Sequence, residues 1–109
     1  MWKKTRPVVL GIAIIVVALQ ASVINAREHD TELKNYLSQG NLCLEQGKLD
    51  EALKAFGAAV FNSGSMGDLD AEASALEGVS RIYEKQGRLE EAQKIKNEAL
   101  NLRKRKRER

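Results

Sequence analysis

The chain is poor in the residues that catalysis, metal binding and covalent stapling require. Its 109 residues include one cysteine, one histidine and one proline, with one tryptophan, two tyrosines and two phenylalanines as its aromatic residues. A single thiol, Cys43, cannot close an intramolecular disulfide, so a stapled secreted framework is excluded. Cys43 falls on an apolar stripe, where free cysteine is commonly a core residue. His29 stands in a charged stretch with no second His or Cys at metal-ligand spacing. No phosphate loop, dinucleotide fingerprint or activated nucleophile appears. Adjacent acids such as Glu90 and Glu91 suit a helix N-terminus and a solvated face rather than acid/base work. The expectation is a non-catalytic protein with no cofactor and no metal.

Hydrophobic residues are concentrated at the start. MWKKTRP carries Lys3, Lys4 and Arg6 with no acid, and VVLGIAIIVVAL (Val8 to Leu19) follows without a charge. A basic flank and an apolar run, with QASVINA ending in Ala26 before Arg27, form the three regions of a signal peptide. The 19 residues from Val8 to Ala26 are also close to the length of a bilayer span. Residues 1–26 therefore read as a cleaved signal or as an uncleaved anchor, and both alternatives stay open at this point. Either way the positive flank stays cytoplasmic and the remainder is exported, to the periplasm or a membrane face if the source is bacterial.

Charge is partitioned as well. The first 26 residues hold three of the 18 basic residues and none of the 15 acids, leaving fifteen of each and no net charge on 27–109. The basic tail RKRKRER (Arg103, Lys104, Arg105, Lys106, Arg107, Glu108, Arg109) takes six of those bases, so 27–102 sets nine bases against fourteen acids. Such a tail attracts phosphate groups, nucleic acid or anionic lipid; the export segment counts against nucleic acid. As the end of a helix it also complements the negative end of the helix dipole.

The body repeats itself. EQGKLDEAL (Glu45 to Leu53) returns forty positions later as KQGRLEEAQ (Lys85 to Gln93). Leu33, Tyr36, Leu37, Gly40, Cys43 and Leu44 lie at the spacings of one helical face, Gly47 closes it, and Leu49, Ala52, Leu53, Phe56, Ala59 and Val60 form a second stripe. NSGSMGD (Asn62 to Asp68) has loop composition, with Asp68 or Asp70 as a cap for the next helix. A third stripe is Ala75, Leu76, Val79, Ile82 and Tyr83, stopped by Gly87, and a fourth is Leu89, Ala92, Ile95, Ala99 and Leu102. The expected class is all-α: a linker at 27–32, a helical hairpin at 33–62, a loop at 63–68, a second hairpin at 69–102 and the tail at 103–109, behind an N-terminal hydrophobic helix. An ordinary four-helix bundle is the competing arrangement.

These positions resemble the tetratricopeptide repeat. The resemblance rests on the small residues Gly40 and Ser80, on Cys43 and Tyr83 three further on, and on the turn glycines Gly47 and Gly87 followed by Leu49 and Leu89. It continues through the alanines 52, 59, 92 and 99 and the acidic pairs Asp50-Glu51 and Glu90-Glu91. The forty-residue period looks like the longer variety of the repeat. Departures are Gln39 where leucine is usual, Lys96 in the place of Phe56, and no closing proline. The family implies a concave face, built from the first helix of each hairpin, that binds a peptide or helix of another protein. Carried over, the face comprises Lys34, Leu37, Asn41, Leu44 and Glu45, then Ser74, Glu77, Arg81, Glu84 and Lys85. Asn41 and Arg81 are equivalent; polar residues there hold a partner's C-terminal carboxylate in some family members, although Leu37 replaces the basic residue expected beside them. Two repeats leave apolar edges that only a neighbour can cover. Self-association, an obligate protein partner, or a folded-back segment from His29 to Tyr36 is expected to cover them.

Overall fold

In the computed structural model residues 30–109 are described, and they consist of helices and turns. Backbone contacts divide the chain into residues 1–31 and 32–109. The signal or anchor segment expected at 1–26 lies outside the described residues, and among the described residues no helix is long and apolar enough to cross a membrane. Among the described residues four helices follow one another: α1 over 30–45, α2 over Leu49–Met66, α3 over Leu69–Lys85 and α4 over Leu89–Glu108. The segment considered as a linker and folded-back cap is, from residue 30 onward, part of α1.

One turn design is used three times. Gly47, Gly67 and Gly87 adopt φ of 76, 71 and 80°, the left-handed region in which a side chain is strained. In each turn the amide after the glycine donates five residues back: Lys48 to Cys43, Asp68 to Ser63, and Arg88 to Tyr83, each at 2.9 Å. The glycine amides add bonds to Leu44, Gly64 and Glu84. This glycine-terminated arrangement satisfies carbonyls that a helix end leaves orphaned. A leucine and an acid then start the next helix. The expected loop at 63–68 is accordingly α2 up to Met66, with a turn of two residues; Asn62 and Ser65 bond back to the carbonyls of Ala58 and Phe61 inside the helix. Asp68 caps α3, its carboxylate accepting from the amide of Ala71 at 3.1 Å. The basic tail continues α4 to Glu108.

The helices stack rather than surround one centre. α2 packs on α3 and α3 on α4, while the Cα atoms of α2 and α4 nowhere approach within 8 Å. Burial follows the same layering. One core joins Leu33, Cys43, Leu44, Phe56, Val79 and Ile82 from α1, α2 and α3; a smaller one joins Ala73 of α3 with Ala99 and Leu102 of α4. A four-helix bundle would share one core among all four helices.

Phe56 fixes the first layer. Its ring is 1% exposed. A Cβ placed on Gly40 of α1 would stand 2.8 Å from the ring, and one placed on Gly78 of α3 would stand 2.5 Å from it. The ring is thus clamped between two helix backbones that approach it where no side chain fits. The small residue at 40 was legible as a repeat feature; Gly78, at the position of Ser38 in the first copy, was not. Gly57 is helical too, but nothing lies within 4 Å of the Cβ it lacks.

These contrasts give a signed prediction. Gly78→Ala should destabilise by about 1–3 kcal/mol through overpacking, and the shorter side chain in Phe56→Leu should relieve part of that cost in the double variant. Gly57→Ala should stabilise by about 0.5–1 kcal/mol, because the helix gains alanine without a clash. Denaturant midpoints of the variants measure both signs.

Candidate partner-binding face

α1 and α3 lie on either side of the Phe56 ring, and residues forty apart meet across them. Arg81 donates to the Asn41 side-chain oxygen at 3.5 Å, the long limit of a hydrogen bond, with both residues exposed. The two equivalent positions singled out from sequence therefore lie side by side. Glu45 and Lys85 are exposed one turn on, Leu37 is half-buried, Ser74 is half-buried, and Lys34 is exposed. Leu44 belongs elsewhere: at 6% exposure it is part of the core and offers no side chain to a partner.

Glu77 and Glu84 have partners on α4. Arg103 pairs with Glu77, Lys96 with Glu84, and Lys106 with Asp70, so three acids seven residues apart on α3 are matched by three bases on the antiparallel α4. Two of the six tail cations, Arg103 and Lys106, are thus committed to α3. Lys104, Arg105, Arg107 and Arg109 are exposed. The ladder flanks Leu100, which floors two open grooves. One, of about 480 Å³, is lined by Glu77, Ser80, Arg81, Glu84, Lys96 and Leu100; the other, of about 420 Å³, by Asp70, Leu100, Arg103, Lys106 and Arg107. Sequence reasoning did not single out Lys96, Asp70 or Leu100 as surface features. The seven-residue spacing of Asp70, Glu77 and Glu84 was the available signal.

At the α3–α4 turn, Arg88 lies over the Tyr83 ring, 4.2 Å from its centroid, and pairs with Glu91. That hydrogen bond raises the Arg88 pKa. Cys43 is buried, its sulfur 3.9 Å from a Glu51 oxygen. Among the described residues no group of three or more His, Cys, Asp or Glu side chains is placed to hold a metal ion.

A stack of antiparallel helices with glycine turns, and a polar pair linking the first helices of successive hairpins, is the arrangement of a helical repeat protein. The tetratricopeptide repeat family matches residues 36–105, well over half of the chain, and the protein belongs to that family. Comparisons with curated proteins and with solved structures returned no match. Tetratricopeptide repeats generally mediate protein–protein interaction and are typically non-catalytic.

The ion pairs are 36–54% exposed, which sets their worth. Glu77→Gln should lower stability by at most about 1 kcal/mol at low salt. In about 1 M salt, where the screening length falls to roughly 3 Å, the difference from the parent should largely disappear. Parallel denaturation at the two salt concentrations checks this.

Proposed function

We propose that this protein is a non-catalytic adaptor that binds a segment of another protein along the face formed by α1 and α3. The observation carrying this reading is the Arg81–Asn41 pair. An amide and a guanidinium fork, exposed side by side, offer several donors and one acceptor at a single point. That suits a backbone or a carboxylate group of an extended or helical segment, charge-assisted at Arg81. Leu37 supplies apolar contact beside it, and Glu45 and Lys85 border it with opposite charges. The proposal includes export: residues 1–26 deliver the repeats across a membrane, as a cleaved signal or as a tether.

Photo-crosslinking groups installed singly at Glu45, Lys85 and Lys54 in the full chain, expressed in its native cell, test the binding face. Glu45 and Lys85 should yield an adduct with the same protein, and Arg81→Ala should reduce it severalfold. Lys54, exposed on α2, should yield none. Adducts only at Lys54, or at all three positions alike, would contradict the assignment. Export is tested by intact mass. A soluble species beginning at Arg27 or a full-length species in the membrane fraction agrees with it, and a full-length soluble species does not.

A further inference from the structure

Among the described residues the stack runs from α1 on one side to α3–α4 on the other, and the internal period of forty residues states what each of these faces would contact if the stack went on. We propose that the α3–α4 end receives α1 of a second copy of this chain, head to tail, repeating the junction by which α3 sits on the first hairpin.

The correspondence is made residue by residue. Inside the chain, Leu49 and Val60 of α2 and Ile82 of α3 pack in or against the first core. Forty positions on from the first two stand Leu89 and Leu100, 65% and 60% exposed; forty back from Ile82 stands Leu42, 54% exposed. Three of the chain's exposed leucines thus occupy positions that the internal junction covers. Head-to-tail docking brings them into one patch.

The centre of the junction changes as a set. Inside, the Phe56 ring fills the space between Gly40 and Gly78. At the chain's end the corresponding residues are Lys96, Ser80 and, from the incoming α1, Ser38. A ring needing two glycines is exchanged for a lysine whose stem would pass between two serines while its ammonium stays paired with Glu84 at the rim. The Arg81–Asn41 pair is also continued: Arg81, which lines the groove beside Leu100, meets the next copy's Asn41 with donors its own Asn41 leaves unused.

Charge agrees with this occupant. Arg81, Lys96, Arg103, Lys106 and Arg107 outnumber Asp70, Glu77 and Glu84 around the grooves. The α1 face that docks carries Asn35, Ser38, Gln39 and Leu42, none of them basic, so no like charge opposes it. The rim ion pairs stay hydrated, as polar rims of interfaces do. Because the two surfaces differ, the contact is heterologous and can propagate to further copies.

The test uses the full chain with Cys43→Ala, so that introduced thiols are the only ones. Ser38→Cys and Lys96→Cys are made on separate chains, treated with a short bis-maleimide alone and as an equimolar mixture, and read on a denaturing gel. The mixture should give severalfold more covalent dimer than either preparation alone, and both substitutions on one chain should give a ladder of multimers. Adding Leu42→Arg to the Ser38→Cys chain should return the mixture to the yield of the single preparations. Equal yields from mixed and single preparations, as in a symmetric dimer, would overturn the proposal. So would the absence of crosslinks, as when a different protein fills the groove.

Discussion

The fold depends on the ring of Phe56 lying against two helix backbones at once. Phe56 is the largest fully buried side chain among the described residues, and it fits here because Gly40 and Gly78 leave room on both sides. A side chain at either position forces the first helix or the third away from the ring. The consequence reaches the surface: the separation that lets α1 and α3 share Phe56 is the separation that brings Arg81 to Asn41. The core and the exposed Arg81–Asn41 pair are set by one contact.

The second copy solves the same problem with different chemistry. Lys96 replaces the ring, so α4 is held to α3 by Ala73, Ala99 and Leu102 and by three ion pairs instead of by an aromatic wedge. Each pair is half-exposed and contributes little alone. Together they align α4 along the whole of α3 and explain why a tail of six cations in seven positions continues as helix. Acids supplied by Asp70 and Glu77 neutralise part of the repulsion that so many like charges would produce, and the helix dipole favours cations at that end.

Much of the body was legible in the sequence because its signals are local. The four stripes, the glycine stops at 47 and 87 and the register between copies all arise from side-chain period and backbone sterics, which act over a few residues. The segment from Asn62 to Asp68 misled because its composition is that of a loop, yet Gly67, Asp68 and Leu69 repeat the pattern of Gly47-Lys48-Leu49 and Gly87-Arg88-Leu89 at twenty-residue intervals. Turn chemistry, rather than average polarity, ended that helix. Leu44 was placed on the binding face by family correspondence, but the stripe it shares with Cys43 and Leu33 takes it into the core. The pairing of Asp70, Glu77 and Glu84 with α4 was not legible, since it depends on how two helices are aligned in space.

The central claim is that Phe56 is shared by α1 and α3. Proton NMR measures it directly, through nuclear Overhauser contacts between the Phe56 ring protons and the α-protons of Gly40 and Gly78 in the full-length protein. The account predicts strong contacts to both glycines. A ring in contact with only one of them, or with neither, would contradict it.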